Sequence, residues 1–476
     1  MNLKIRFILV FIFLSASFSK TFSQEPWNLQ QCVDYALEHN IQIKQAQINA
    51  EYNENLLDQS RFNRYPNLNA NLGYGVSFGR ALDPTTYEFT EDQTVHSLNP
   101  NISSSVTLFS GFQLKNTIEQ NRFNLLAALQ DLEKLKNDIS LTIAGQYLQI
   151  LFNSEILAVA REQLEVTNSQ VTRTQALVDA GSVAKGTLLE IQAQLAADEL
   201  SVINAENNLS ISYLTLSQLL ELDSVGNFSI VIPEITNISE ENLLVPVDQI
   251  YREALEILPQ IKAAEYGLRS AEKGLDIARG SGMPRLSLSA SYGSGYSDSR
   301  QQVTGSEFAS DTIPTLGGDA LVFSSQNFTF GHYPLPDQLS DYRNTSLYAT
   351  LSIPVFNRFM AKNNVKNAKL AVENSMLEEE NQKKMLYKEI QQAYADAVAG
   401  LKKFRASEQA VVSMEESFKY TREKYEVGLV NAVDFNIAQN QLIMTQSELL
   451  RAKYDFIFKT SILSFYRGKP LSLDQL

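Results

Sequence analysis

The amino-acid sequence contains two copies of one unit, and this duplication constrains the fold more than any other feature. An early register has a shift of 218 residues and pairs Ala36-Leu37-Glu38 with Ala254-Leu255-Glu256, and Tyr74-Gly75 with Tyr292-Gly293. A later register has a shift of 247 residues and pairs Phe109 with Phe356, Gly181 with Gly428, and Gln194-Leu195 with Gln441-Leu442. The difference of 29 residues indicates an insertion in the second copy, between Gly293 and Pro354. We therefore expect a duplicated unit rather than three unlike domains.

Each copy shows the same succession of hydrophobic periods: helix, strand, strand, long helix and return helix. In the first copy, 24–235, the expected elements are strands at about 67–79 and 101–110, a long helix at about 112–180 and a return helix at about 187–222. In the second copy, 246–468, they are strands at about 285–297 and 345–356, a long helix at about 358–427 and a return helix at about 434–466. The connections 79–100 and 297–344 are expected to be solvent-facing loops.

Strict alternation marks the expected strands. In the first strand, Leu72 and Tyr74 alternate with Asn71 and Ser77, so one face is apolar and the other is small and polar. Strands of about 9–11 residues can cross a bilayer at a tilt. Four strands leave two open edges, and a closed membrane barrel needs about 8 strands, so closure requires at least two chains. A dimer, a trimer and a tetramer remain open on these grounds. The polar face that would line water includes Asn69, Asn71, Ser287 and Ser289.

Each strand pair is followed by an unusually long helical pattern. No proline occurs between Asn101 and Ile232 or between Val355 and Lys469. A helix of this length would run roughly 100 Å at about 1.5 Å per residue, and its apolar residues recur at spacings typical of a packing seam. Gly181 and Gly428 lie where the two long helices should end, as terminating glycines do.

Export is indicated by the N-terminus, because residues 1–23 have the pattern of a signal peptide: a charged start, a short apolar stretch and small residues before the cleavage position. The chain has 40 Lys and Arg against 54 Asp and Glu, a net charge of −14, which argues against a nucleic-acid partner. Its single cysteine excludes an intramolecular disulfide and any multi-cysteine metal site, and its 3 histidines leave little material for imidazole chemistry. We expect no cofactor and no enzymatic activity.

The ordered pattern resembles the TolC family of outer-membrane efflux channels over nearly the whole mature chain. The matching features are Ala36-Leu37-x-x-Asn40, Ala254-Leu255-x-x-Leu258-Pro259, Pro66, Pro284, Leu108-Phe109-Ser110-Gly111 and Val427-Gly428-Leu429-Val430. The resemblance implies a membrane α+β homotrimer, with four strands per chain in one twelve-stranded barrel that an α-helical periplasmic barrel continues. It also implies the outer membrane of a Gram-negative bacterium, a periplasmic adaptor protein and an inner-membrane pump or exporter as partners, and efflux of small molecules or secretion as the function.

The resemblance implies a gate at the periplasmic end of the helices. There Asp434 would contribute to an acidic ring in the pore, and Tyr425 would help to hold the closed tip. Helix capping is a competing role for Asp434, and Thr187 with Glu190 matches a capping box. Ile437, Val430 and Thr187 stand at positions where a polar latch is expected, so the latch should be mostly absent. Adaptor docking is assigned to Gly181, Val183, Val427, Gly428 and Leu429.

Two other classes of function compete with the channel. A periplasmic coiled-coil scaffold would use the strand pairs only for assembly, but Leu72, Tyr74 and Phe78 give more apolar surface than a soluble edge carries. A secreted hydrolase would use Ser77, in Gly75-Val76-Ser77-Phe78-Gly79, as a nucleophile. That motif works at a strand-to-helix elbow, whereas here it lies inside an alternating strand. The pattern therefore favours the channel.

Overall fold

The structure is a computed structural model that describes residues 26–80, 82, 87–89, 91–222, 228–233, 243, 245–314, 317 and 320–469. The expected signal peptide, 1–23, lies outside these residues. The described chain forms two compact units. A helical unit contains residues up to 53, 124–268 and residues from 374 onward, and a second unit contains residues 54–123 and 269–373. Each unit takes segments from both sequence copies, because strands of the two copies pair in one sheet. The compact units are therefore different divisions of the chain from the two sequence copies.

The helices follow the duplicated order. The first copy supplies α1 Leu29–His39, α2 Ile41–Phe62, α3 Gln113–Asp179 and α4 Lys185–Leu219. The second copy supplies α5 Val247–Ile257, α6 Pro259–Gly280, a short insertion helix α7 Leu335–Asp341, α8 Met360–Glu426 and α9 Ala432–Tyr466. Both long helices, α3 and α8, have 67 residues. Over the described residues, no helix combines the length and the apolar character needed to span a bilayer.

The break between the first two helices of each copy has a different cause in each copy. In the first copy, Oδ1 of Asn40 accepts hydrogen bonds from the backbone N–H groups of Gln42 (2.9 Å) and Ile43 (3.3 Å), and so caps α2. In the second copy, Leu258 is extended and Pro259 opens α6. A proline fits there because the first N–H of a helix needs no intrahelical partner. A side-chain cap in the first copy and a proline in the second thus interrupt the helix at equivalent places.

Part of the core of the helical unit is equivalent in the two copies. Cys32 and Ala36 in α1 are fully buried, as are their counterparts Ile250 and Ala254 in α5. Burial raises the pKa of the Cys32 thiol to about 12, so the free cysteine is an apolar core group.

A pair of equivalent tyrosines extends this symmetry. The hydroxyl of Tyr147 in α3 donates to the carbonyl of Val231 (2.5 Å), and the hydroxyl of Tyr394 in α8 donates to the carbonyl of Leu243 (3.0 Å). Each tyrosine therefore ties a connecting segment to a long helix.

The second unit contains an antiparallel sheet built from both copies. Its strands are β1 Asn69–Gly79, β2 Gln93–Ser110, β3 Arg285–Gly293, β4 Tyr296–Ser297 and β7 Asn344–Ser352, and a separate hairpin consists of β5 Gln301–Pro314 and β6 Ala320–His332. The order is β1-β2-β3-β7, and β4 also pairs with β2 beyond the end of β3. In the described chain, β1 and β7 each have one edge without a strand partner. Ser77 pairs with Val95 inside β1–β2, away from any strand-to-helix elbow.

The register divides the sheet into two chemically different faces. Apolar pairs across neighbouring strands share one face, namely Tyr74–Leu98, Ile102–Tyr292, Val106–Leu288, Leu286–Leu351 and Ala290–Leu347. Polar pairs share the other, namely Asn71–Asn101, Ser103–Ser291, Ser105–Ser289 and Ser291–Ser346. The hydroxyls of the last pair are 2.7 Å apart. The alternation read from the sequence thus becomes one continuous apolar face and one continuous polar face.

Several strand boundaries differ from the expected ones. β2 begins at Gln93 instead of near 101, and β7 ends at Ser352 instead of near 356. The end of β7 has a clear cause, because Ser352 pairs with Arg285, the first residue of β3, and Pro284 before it cannot extend the ladder. The expected loop 297–344 contains β5, β6 and α7, so it is a structured insertion.

Candidate gate and docking tips

The two long hairpins, α3–α4 and α8–α9, end in tips with the same backbone turn. Gly181 has φ +73° and Gly428 has φ +80°, a left-handed conformation that favours glycine. At the first tip the N–H groups of Gly181 and Ser182 donate to Val178 and Leu177, both at 2.9 Å.

The second tip repeats this pattern. There the N–H groups of Gly428 and Leu429 donate to Tyr425 (3.1 Å) and Lys424 (2.9 Å). Both turns are Schellman motifs that satisfy the last carbonyls of their long helices. The expected role of Gly181 and Gly428 as helix terminators is thus seen in the backbone.

The return helices begin differently, and the structure corrects the expected caps. α9 is capped by Asn431, whose Oδ1 accepts a hydrogen bond from the N–H of Asp434 at 2.8 Å. Asp434 is therefore the third residue of the helix and not its N-cap. α4 begins after Ala184, which makes no side-chain cap, so the expected capping box of Thr187 with Glu190 is wrong. Both errors arise because each helix begins two residues earlier than its expected start.

An aromatic cluster stabilises the second tip. The ring of Tyr425 stacks on the ring of Phe435, with the centroids 4.6 Å apart. Phe418 also packs against the ring of Phe435, at a centroid distance of 5.4 Å. Phe435 is buried and Tyr425 is half-buried. The equivalent positions of the first tip are Val178, Leu188 and Val171. We did not predict Phe418 or Phe435; the seven-residue spacing of Phe418 and Tyr425, which places them on one helix face, is the signal that could have revealed the cluster.

The exposed surfaces of the tips differ more than their backbones. At the second tip, Val427 is 70% exposed and Leu429 is 77% exposed. The same tip exposes two more apolar side chains along α9, Val433 and Ile437. The equivalent residues of the first tip are Ala180, Ser182, Gly186 and Glu190. At these four positions the second tip therefore presents apolar side chains and the first presents small or polar ones, while the first tip exposes Leu177 and Leu189 on its flanking helices.

A cavity of about 860 Å³ lies between the two hairpins near their tips. It collects three of the expected site residues, Val183, Tyr425 and Gly428, and also two latch-position residues, Thr187 and Val430. The other expected site residues do not line it, namely Gly181, Val427, Leu429 and Asp434. The expected site residues thus fall into two groups: those that line the cavity between the hairpins, and those outside it, most of which belong to the second tip.

The charges near the cavity come mainly from arginine and glutamate. Arg173, Glu190, Arg422 and Glu426 line it. Asp434 is exposed in the first turn of α9, where the helix dipole favours a negative charge. Farther along α8, a hydrogen bond to the carboxylate of Glu416 raises the pKa of Tyr420. Across the described residues, no group of three or more His, Cys, Asp or Glu side chains could hold a metal ion.

Comparison with known proteins assigns the chain to a family. The sequence matches the model of the outer membrane efflux protein family over residues 32–221 and 250–457, one stretch in each copy. The chain belongs to this family, and the resemblance to TolC read from the sequence is confirmed. It is an outer-membrane efflux channel of a Gram-negative bacterium.

Individual relatives are distant but extend over most of the chain. Toxin and drug export protein A of Aggregatibacter actinomycetemcomitans is 23% identical over 369 residues, 76% of this chain and 70% of the relative. Outer membrane protein TolC of Escherichia coli K12 is 22% identical over 461 residues, 94% of this chain and 83% of the relative.

Solved structures show the same fold. The membrane-channel protein CusC superposes with a TM-score of 0.73 at 17% identity, covering 93% of this chain and 92% of that chain. VceC of Vibrio cholerae gives a TM-score of 0.73 at 16% identity, covering 93% of this chain and 97% of that chain.

Proposed function

We propose that three copies of this chain close one twelve-stranded barrel in the outer membrane and form an exit duct through it. The polar face of the sheet would line the water-filled path, and the apolar face would contact lipid. The helical unit would extend the path into the periplasm. The duct performs no chemistry, and it opens when partner proteins engage the helical tips.

The open sheet edges carry this proposal. β1 and β7 both lack a partner on one side within the described chain, and hydrocarbon does not tolerate unpaired backbone groups. A flat four-stranded sheet cannot bury both edges by itself, but joining β7 of one copy to β1 of the next removes every edge. β1 has 11 residues and β3 and β7 have 9 each, which matches a tilted crossing of about 9–11 residues.

The chemical difference between the faces supports a membrane location for this sheet. Leu72, Tyr74 and Leu347 are largely exposed on the apolar face. A soluble protein rarely exposes an apolar surface that runs across four strands. Lipid would cover this surface, while serine and asparagine side chains on the other face would remain hydrated.

The periplasmic gate is proposed at Asp434 and Tyr425. Three copies of Asp434 around a narrow mouth would form a ring that concentrates cations. Tyr425 would hold the tip through its ring, which stacks on Phe435. Because Val430 and Ile437 replace polar latch residues, the closed state would depend on apolar packing.

Adaptor docking is proposed at Gly181, Val183, Val427, Gly428 and Leu429. The second tip supports it most strongly, because Val427 and Leu429 are exposed apolar groups beside an exposed turn. A helical hairpin of a periplasmic adaptor would cover them, and an inner-membrane pump or exporter would supply energy. The relatives include a toxin and drug export protein, and we propose small molecules or secreted toxins as the cargo classes.

A pair of arginine substitutions on adjacent residues tests the channel. Leu72→Arg places a cation on the lipid face, which costs about 2–4 kcal/mol at the bilayer centre, so outer-membrane assembly and conductance should be lost. Asn71→Arg is the matched control on the polar face, where assembly should persist and the conductance of purified channels in planar bilayers should change. Equal behaviour of the two variants would argue for a scaffold that does not cross the membrane.

A further inference from the structure

The β5–β6 hairpin stands apart from the rest of the sheet. Its strands have 14 and 13 residues, and within the described chain they pair with each other and with no other strand. A two-stranded hairpin is at best marginally stable in water without a covering layer. β6 contains no Asp, Glu, Lys or Arg over its whole length, so its open edge lacks the charges that usually prevent pairing. The hairpin therefore needs a covering partner.

In the half of the hairpin near its base, the register places the large apolar side chains on one face. We define the clamp face by Val303, Phe308, Val322, Phe328 and Phe330. Val303 pairs with Phe330, and Phe308 lies one step along the ladder from Phe328. Phe308 is 73% exposed. The opposite face carries Glu307 paired with Asn327 and Ala309 paired with Ser325. In this half, the opposite face thus presents small and polar side chains.

Hydrogen bonds fix the base of the hairpin to the sheet. The side chain of Gln338 in α7 is fully buried, and its Nε2 donates to the carbonyls of Ser297 (2.9 Å) and Tyr333 (2.8 Å). Its Oε1 accepts from the N–H of Ser297 at 3.0 Å. Ser297 belongs to β4, which pairs with β2. The guanidinium of Arg300 lies 3.9 Å above the ring of Tyr342. The hairpin is therefore held at a defined place beside the strand ends.

A second exposed apolar surface occurs at the same end of the sheet. We define the receiving loop by the described residues of the β1–β2 connection, Leu82, Tyr87 and Phe89. Leu82 and Phe89 form an isolated antiparallel bridge, and Phe89 is 70% exposed. Gly79 pairs with Gln93, and Gly293 pairs with Asn344. The receiving loop and the hairpin insertion therefore leave the sheet at one end.

We propose that the clamp face of one chain packs against the receiving loop of a second copy and locks neighbouring chains together. The inference rests on the proposed shared barrel, in which β7 of one chain lies beside β1 of the next. The hairpin returns through α7 to β7, and the receiving loop begins at the end of β1, so closure makes the two surfaces neighbours. The clamp face, as defined, carries no charged side chain whose burial would be costly, whereas on the receiving loop the guanidinium of Arg80 lies 5.7 Å from the centroid of the Phe89 ring.

Cross-linking between chains tests the clamp. A chain with Phe308→Cys and one affinity tag is co-expressed with a chain that carries Phe89→Cys and a different tag. Cys32 is fully buried, so the new thiols are the accessible ones. After oxidation, or treatment with a short bis-maleimide, we expect a covalent dimer that carries both tags. Glu307→Cys in place of Phe308→Cys is the matched control on the opposite face, and it should give no dimer.

The outcomes separate the clamp from the barrel. Trimers that form normally but give no mixed dimer with Phe308→Cys would overturn the clamp and leave the proposed channel intact. Equal cross-linking by Glu307→Cys would also overturn it, because the packing would not be specific to one face. Proteins that form no trimers before cross-linking, including the unsubstituted chain, would instead overturn the proposed function.

A charge substitution gives a second measurement. The double variant Phe308→Glu with Phe328→Glu should shift the dissociation of trimers in dodecyl sulfate to a lower temperature. Glu307→Gln, on the polar face of the same strand, should leave the dissociation temperature unchanged. An unaltered dissociation temperature in the double variant would contradict the clamp.

Discussion

The tips of the two helical hairpins have one backbone and two surfaces. Gly181 and Gly428 adopt the same left-handed conformation, and each ends a 67-residue helix with the same pair of hydrogen bonds. Around this shared turn, the second tip exposes Val427 and Leu429, whereas the first presents Ala180 and Ser182. Ending each long helix requires this backbone turn, whereas the exposed side chains around the turn can differ between the two copies.

This difference indicates that the tips do not contribute equally to function. The second tip also has an aromatic cluster and an asparagine cap, where the first has aliphatic residues and no side-chain cap. The first tip exposes Leu177 and Leu189 on its flanking helices, but of the two turns only the second exposes valine and leucine directly beside its glycine. We therefore expect the second tip to dominate partner contact and gate stability, and paired substitutions can test each part of that expectation.

The largest effect is expected from Leu429→Glu. The substitution puts a charge on the most exposed apolar side chain of the second turn, so docking and export should be abolished while trimers still assemble. Export is measured as drug or toxin release by cells that depend on this channel. Ser182→Glu makes the equivalent change at the first tip and should retain most of the export. Equal loss in both variants would show that the tips dock alike.

The aromatic cluster should give the next largest effect. Phe435→Ala removes a buried ring, and truncations of this kind cost about 3–5 kcal/mol. Hydrogen exchange should therefore show early opening of the α8–α9 tip and leave α3–α4 unchanged. Tyr425→Phe keeps the stacked ring, so exchange and closed-channel leakage should match the unsubstituted protein. Increased leakage in Tyr425→Phe would instead assign the gate to the hydroxyl.

Asp434 and Thr187 occupy equivalent positions and allow a reciprocal exchange of charge. Asp434→Asn should reduce the cation preference of the channel in planar bilayers, because it removes the proposed acidic ring. Thr187→Asp should increase the preference by adding a second ring. Reversal potentials in a salt gradient measure both. If selectivity stays constant in both variants, the carboxylate at residue 434 does not face the pore.

The smallest effect is expected at the helix caps. Asn431→Ala removes the side-chain acceptor at the start of α9 and should destabilise the helix end by about 1 kcal/mol. Ala184→Asn introduces a cap at the first tip and should stabilise α4 by a similar amount. Hydrogen exchange in the first turn of each helix measures the two changes. Opposite signs are expected, and a loss of stability in Ala184→Asn would mean that its backbone cannot place the new cap.

Most of the fold could be predicted because periodicity and proline placement act locally. The alternation around Leu72 and Tyr74 revealed the two faces of the sheet, and proline-free stretches revealed α3 and α8. The start of β2 could not be found this way, because Pro100 suggests a strand boundary. In the structure Pro100 faces the gap between β3 and β4, and its carbonyl accepts from Ser294 at 3.1 Å. The missing N–H therefore breaks no ladder there.

The site could be predicted only in part. Gly181 and Gly428 were found because a left-handed turn requires glycine, but the caps were not. Asn431 and Asp434 are both good cap residues three positions apart, and sequence alone does not show which one begins the helix. The insertion hairpin was also missed, since a strand such as β5, which mixes Ser, Thr, Gln, Gly and Asp, has the composition of a loop. A local hydrogen bond to Asn431 decided the cap of α9, and pairing of β5 with β6 decided the hairpin.

The most direct test of the account is the protein mass of the mature chain extracted from isolated outer membranes, measured by light scattering with correction for bound detergent. We expect a particle of three chains, because within the described residues no strand pairs the free edges of β1 and β7, and the proposed barrel pairs them with other copies. A monomer that persists across detergents would leave those edges open and would contradict the shared barrel.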